Sequence, residues 1–393
     1  MLRGSRNIVQ LLAVGQPVWM VSRIAGFASA CSEQELNYKR KSTWMFIFLV
    51  IAGMGGPPRA VLAQSQSDFL LFPFAEAIQR EGLNSDSLLD DEELRAGATL
   101  FAAFEKGNFV FLGEALVDTD EQEVERLQFG WRMGGSKAWL GRFHNPIGFW
   151  NTQFHHGDFM QTSVSRPAIV EYEDDQGLLP MHLAGLLVEG VREQGQRGLG
   201  YAFAVAKGPE LGEELSAFDV LRPGSSSGGL ALSMNLSLQP TAYGLDQYGL
   251  FANYTEIPGR DRGVDEIRQL IAGGYWNWES EKWRLIGSVF YLRNQFEDAD
   301  VNQSDELGSA YIQVERSFND RWAAFARVEK TYADDDDRYL ELFPAFVREK
   351  ALVGARANLF ERHALKLEIS SNREQNDRYT QVMLQWAAMF ALE

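Results

Sequence analysis

The residues able to do chemistry concentrate in one stretch. Gly141-Arg142-Phe143-His144-Asn145-Pro146-Ile147-Gly148-Phe149-Trp150-Asn151 is followed closely by Phe154-His155-His156-Gly157-Asp158, and together they hold three of the five histidines. Imidazole and carboxylate are donors that suit zinc, which makes His144, His155, His156 and Asp158 a ligand set to weigh. Their spacing matches no metal motif, and adjacent histidines point apart, so no metal is expected. Ser163 or Ser165 with His155 or His156 and Asn151 can be drawn as a nucleophile, base and orienting group. No Gly-x-Ser-x-Gly elbow supports that drawing, and no enzyme is expected. The plainer reading is a long loop that packs its aromatics and folds inward as a constriction. Its candidate polar contacts are His144, Asn145, His155, His156 and Asp158.

A second set of charged residues is spread along the chain. Arg126, Arg132, Arg142, Arg327 and Arg356, with Glu315, Glu329, Lys366 and Glu368, occupy the polar positions of alternating segments. Arginines facing acids across a wet interior create a transverse field, and rings of charge set ion preference. The bland alternative is that these charges pair with one another. Three arginines in the adjacent segments 124–133 and 137–144 favour an anion-contacting wall. The acidic runs Glu171-Tyr172-Glu173-Asp174-Asp175 and Asp334 to Asp337 read as solvated surface. A sharper reading has divalent cations bridging them to lipopolysaccharide phosphates.

The elements that must position these residues are strands. In 230–239, Leu230, Leu232, Met234, Leu236 and Leu238 share one face, and Ala231, Ser233, Asn235, Ser237 and Gln239 share the other. Only a period of two separates the classes in this way. The pattern recurs: Leu127, Phe129, Trp131 and Met133 oppose Arg126, Gln128, Gly130 and Arg132, and Leu365, Leu367 and Ile369 oppose Lys366, Glu368 and Ser370. Fifteen strands are legible, near 94–105, 108–118, 124–133, 137–144, 183–192, 198–207, 228–239, 248–256, 267–278, 283–294, 307–317, 322–332, 347–359, 364–372 and 379–392.

Short connections alternate with long ones such as 145–181, 208–227 and 333–346, and aromatics such as Trp276, Trp278, Trp283, Trp322 and Trp386 sit near strand ends. Both features belong to antiparallel barrels that span a membrane. Such barrels use an even number of strands, so a strand is missing from the fifteen. It falls in 66–93, around Phe69–Phe74, or in 149–165, for a total of 16, with 14 as the alternative. Residues 75–93 read as helical or irregular.

Composition excludes several classes. The formal charge of -17 argues against nucleic acid, because neutralising phosphates needs a basic surface. The single cysteine, Cys31, lies outside the barrel region and excludes a thiolate site there. Mean hydropathy of -0.24 excludes a bundle of apolar helices, but a barrel with one wet face escapes that test. Residues 1–63 read as a leader: a basic region at 39–41, an apolar region at 44–55 and a cleavage site after Ala63, the parts of a secretory signal. Ala28-Ser29-Ala30-Cys31 offers a lipoprotein signal as the other reading. Residues 64–93 are a periplasmic lead-in or a first strand, and 94–393 are the barrel.

On the export signal, the alternating strands, the short and long connections and the aromatic final strand, the chain resembles the porin-like outer-membrane proteins of Gram-negative bacteria. It departs from them at its end, where Phe390 is followed by Ala391-Leu392-Glu393. The resemblance implies an all-β transmembrane up-and-down barrel in the bacterial outer membrane. It implies a passive channel for small hydrophilic solutes or ions, with no cofactor, bordered by lipid and lipopolysaccharide, as a homotrimer or a monomer. The alternative is a barrel that is not a channel, whose loops fill the lumen and which serves as a surface-binding or structural protein.

Overall fold

The computed structural model describes residues 66–392, apart from 84–90, 120–121, 155–157, 174, 242–244, 261–262, 298–301, 335 and 376. The leader, with its basic and apolar regions and Cys31, lies outside the described residues, as do His155 and His156.

The two-faced segments become strands. The first seven are β1 (Gln66–Gly82), β2 (Asp91–Lys106), β3 (Phe109–Val117), β4 (Gln122–Met133), β5 (Ser136–His144), β6 (His182–Gln194) and β7 (Arg197–Lys207). A short hairpin, β8 (Glu210–Leu211) and β9 (Leu215–Ser216), occupies the next connection. The series resumes with β10 (Leu230–Gln239), β11 (Gln247–Pro258), β12 (Glu266–Glu279), β13 (Trp283–Glu297) and β14 (Asn302–Ser317). It ends with β15 (Trp322–Tyr332), β16 (Glu349–Phe360), β17 (His363–Arg373) and β18 (Arg378–Ala388), which β19 (Phe390–Leu392) prolongs past Met389.

Each barrel strand pairs antiparallel with its successor, and β7 reaches β10 across the hairpin. Strand β1 pairs with β2 on one side and with β18 and β19 on the other. The sheet is therefore a closed barrel of 16 strands, and closure leaves no edge unpaired. Among the described residues no helix is long and apolar enough to cross a membrane.

The strand hidden from periodicity is β1, at the first of the two expected places. Segment 149–165 carries instead a five-residue helix, α1 (Phe149–Gln153), and turns. Residues 75–93, expected to be helical or irregular, are extended to Gly82 and again from Asp91. Ala, Glu, Gln and Arg favour helix locally, which masked the pattern. In the barrel Phe72, Phe74, Glu76 and Ile78 are buried, while Ala75, Ala77 and Gln79 between them are exposed. Partner strands flank β1 on both sides over most of its length, and that pairing outweighs a propensity difference of about 0.7 kcal/mol per residue or less.

The outward face is apolar and the inward face polar. Leu230, Leu232, Met234, Leu236 and Leu238 are 37–45% exposed, whereas Ser233 and Asn235 are 6% exposed. The short connections at 107–108, 134–135, 195–196 and 361–362 share one rim; those at 145–181, 208–229 and 333–348 occupy the opposite rim.

The apolar core sits inside the barrel. Ile147, Phe149, Trp150, Leu178 and Leu179 from the 145–181 connection pack against Phe251, Ile271, Ile286 and Phe290 of β11, β12 and β13. Tyr339 and Leu340 of a second short helix, α2 (Arg338–Glu341), join them. Asp337 caps that helix by accepting from the Leu340 N–H at 2.8 Å.

Candidate constriction site

The inner loop, residues 145–181, leaves the end of β5 and turns into the lumen. Its first residues are fixed by amides. Asn145 accepts from the Ser233 hydroxyl at 2.6 Å and donates to the Pro180 carbonyl at 2.7 Å, so it ties the two feet of the loop together. Asn151 donates to the Asn145 carbonyl at 2.8 Å, and Asn235 to the Pro146 carbonyl at 2.8 Å. Trp150 is fully buried, edge-on to Phe154 at 4.9 Å and to Tyr311 at 6.1 Å. Apolar packing therefore holds this half of the loop against β11 to β14.

The second half runs along β14 to β18 and is held there by charge. Arg327 donates to the Arg166 carbonyl at 2.7 Å, the Ser165 hydroxyl at 2.9 Å and Gln313 at 2.9 Å. Glu329, paired with Arg327 at 2.6 Å, accepts from the Ala168 N–H at 2.6 Å. Glu368 accepts from the Val164 N–H at 2.9 Å, and Glu315 from the Thr162 hydroxyl at 2.8 Å. Arg356 donates to the carbonyls of Phe159 at 2.8 Å and Gln161 at 2.7 Å. Lys366 donates to the Ser163 carbonyl at 3.1 Å, to Gln385 at 2.9 Å and to the Asp158 carbonyl. These six side chains come from the polar faces that periodicity identified. Their partners are the backbone and hydroxyls of the loop. A backbone segment lying in a lumen needs partners for its N–H and C=O groups, and the wall charges supply them.

The three remaining arginines are paired locally. Arg126 meets Glu114 at 2.6 Å, Arg132 meets Glu105 at 2.6 Å, and Arg142 meets Glu123. Each lies against a carboxylate instead of presenting a free cationic wall. Arg142 also sits where alternation lapses. Leu140 is 64% exposed, whereas Arg142, two residues on, is 5% exposed. Between them Gly141 adopts φ +134, a conformation that glycine alone accepts readily, and an added Cβ would stand 1.9 Å from the Leu127 carbonyl oxygen.

The loop leaves part of the lumen open. A cavity of about 330 Å³ lies between residues 158–176 and the wall made by β1, β2, β3 and β18. Seven carboxylates line it: Glu76, Glu114, Asp118, Glu125, Asp158, Glu171 and Asp175. Four cations do so: Arg80, Arg95, Arg166 and Lys350. Of the constriction-loop candidates, Asp158 is among them; none of the nine wall charges is. Part of the acidic run from Glu171, expected as solvated surface, faces the loop and the cavity instead. Glu173 is 2% exposed, and Glu171 and Asp175 border the cavity. Burial raises the Asp158 and Asp175 carboxyls above their ordinary range. Burial pushes the Glu171 carboxyl up to about 7, opposed by Arg166, whose Nε lies 3.7 Å away.

The serines that a hydrolase would use are engaged in the same framework. Ser163 donates to the Ser165 carbonyl at 3.0 Å, and Ser165 donates to Glu368. His144 lies at the end of β5, its ring edge-on to that of His182 at 5.3 Å. His182, Glu125 and the cavity residues Glu76 and Arg95 were not singled out by sequence. Glu76 and His182 are isolated polar residues in their strands, whereas Arg95 and Glu125 stand among other charged residues, so no local pattern marks any of them.

Sequence comparison finds no matching family model and no significantly similar curated protein. Comparison of folds finds many similar structures. The outer membrane channel DcaP of Acinetobacter baumannii superposes with a TM-score of 0.54 at 11% identity, over 83% of this chain and 97% of that one. An anion-selective porin from Comamonas acidovorans gives 0.54 at 13% identity, over 84% and 100%. OmpT of Vibrio cholerae in its trimer form gives 0.52 at 8% identity, over 83% and 99%. With its 16 antiparallel strands closed end to end, the chain has the fold of the outer-membrane porins.

Proposed function

We propose that the protein is an outer-membrane channel for small hydrophilic solutes or ions, narrowed by its inner loop. The observation that carries this reading is the charged cavity of about 330 Å³ beside the loop. The apolar half of the loop fills one side of the lumen, and the other side keeps a polar, ionisable lining. Where its carboxylates are ionised, a lining of seven carboxylates against four cations favours small cations over anions. The arginines of β4 and β5, each neutralised by a neighbouring glutamate, contribute little to an anion-contacting wall. Residues 1–63 direct export, the outward leucines meet lipid, the loop rim meets lipopolysaccharide, and the barrel works as a monomer or a homotrimer.

The test is conductance of the purified barrel in planar bilayers under a salt gradient. Steady openings with a cation-selective reversal potential are expected. A competing reading, a surface-binding barrel whose lumen is plugged, draws on the apolar packing of Trp150, Phe290 and Tyr339. Its outcome is the absence of steady openings.

A further inference from the structure

The inner loop begins and ends on a histidine. His144 closes β5, His182 opens β6, and the two are direct partners in the sheet. Glu125 approaches from the neighbouring strand through an irregularity. Glu114 of β3 pairs with Arg126, but Leu116 pairs with Glu123, so β4 holds one residue more than its partner here. Such bulges re-aim side chains, and Glu125 is 5% exposed beside the histidines.

The donor atoms of Glu125, His144 and His182 all lie within 4.8 Å of one another. Ligand atoms around a tetrahedral zinc stand roughly 3.3 Å apart, given bonds of about 2.0–2.1 Å. Small side-chain rotations bridge that difference. His182 Nε2 is already 2.7 Å from a Glu125 oxygen. On the far side of the ring, Nδ1 is 2.8 Å from Glu173, which also accepts from the His182 N–H at 2.6 Å. A carboxylate on the distal nitrogen selects the tautomer that presents the other nitrogen as a ligand, and metal-binding histidines are commonly oriented this way.

We propose that Glu125, His144 and His182 bind one divalent transition-metal ion of the zinc class. Two imidazoles and one carboxylate suit zinc or cobalt, whereas calcium and magnesium take oxygen donors. Glu125 lines the cavity, so an ion reaches the site from the lumen, and water completes its coordination. The ion would tie both feet of the inner loop to β4.

The test is titration of zinc chloride into the full chain refolded in detergent, followed by calorimetry, with cobalt as a spectroscopic substitute. One equivalent of zinc and a tetrahedral cobalt absorption are expected. Glu173→Gln should weaken binding roughly 10–100-fold, the usual effect of removing a carboxylate behind a ligand, and His144→Gln should weaken it at least as much. The double variant His155→Ala/His156→Ala should bind like the parent. His144→Gln is read only where far-ultraviolet dichroism shows the parent's strand content. Glu125→Gln, which keeps the side-chain volume, gives the independent arm. No saturable binding would overturn the proposal; so would unchanged binding in the His144 and Glu125 variants, or loss of binding in the His155/His156 variant. Absence of binding would leave His182 as a side chain held by its polar contacts with Glu125 and Glu173.

Discussion

Ser165 gives Glu368 both its hydroxyl, at 2.5 Å from Oε1, and its backbone N–H, at 3.3 Å from Oε2. A carboxylate that receives two groups from one residue, and the Val164 N–H besides, fixes the backbone orientation of that residue. The middle of the inner loop is thus set by the wall of β17, far away in sequence.

Glu368→Ala removes those acceptors and leaves buried donors without partners. Losing one member of a buried charged network costs about 3–5 kcal/mol. The inner loop should detach from β17 while the barrel stays closed. The expected outcome is a lower urea midpoint in detergent and a larger, noisier unitary conductance.

Trp150→Ala tests the apolar half of the same loop. Trp150 is fully buried among Phe154, Tyr311 and their neighbours, and truncation of such a side chain costs about 3–5 kcal/mol. Thermal unfolding should report the loss. Conductance should rise less cleanly than in the Glu368 variant, because the charge contacts remain.

The Glu171 carboxyl, pushed up to about 7 by burial beside Arg166, Asp175 and Lys350, makes the constriction pH-dependent. At pH 5 the group is protonated; at pH 8 it is charged. Cation preference should therefore increase as pH rises through about 7, and Glu171→Gln should flatten that part of the profile. The sign for stability is the opposite. The folded chain holds this proton more tightly than the unfolded one, so its contribution is largest in acid and falls as pH rises from the ordinary carboxylate range toward 7. Reversal potentials and urea midpoints measured across that range check the two signs separately.

Met234 stands in the middle of β10 on the outward face, 37% exposed. Arginine at the bilayer midplane of a barrel costs about 2–4 kcal/mol. Met234→Arg should lower the unfolding free energy in lipid vesicles by about that much, and Ser233→Ala on the inward face should cost less.

The sequence made much of this architecture legible. Alternation in 230–239 is complete, so β10 and its two faces can be read from the residues alone. Strand β1 could not be read in that way, because Ala75, Glu76, Ala77 and Gln79 carry helix-forming side chains on a strand whose partners lie at both ends of the barrel. The polar positions of Arg327, Lys366 and Glu368 were visible, but what they touch was not. Periodicity reports which face a side chain occupies; it does not report that a loop drawn from elsewhere lies against that face. Glu125 was hidden for a different reason. An extra residue in β4 breaks the alternation at that point, and a bulge leaves no compositional trace.

The pairing of β1 with β18, from Phe74 opposite Ala387 to Gly82 opposite Tyr379, has a kinetic consequence. The β1–β19 pairing continues the same seam, and all the remaining barrel pairings join successive strands of the barrel. The seam joins the first and last strands, so its loop-closure entropy falls due only once all the others are in place. The seam should be the slowest contact to form and the rate-limiting step of assembly. Until it forms, two open edges face one another, and each is a template for a foreign strand.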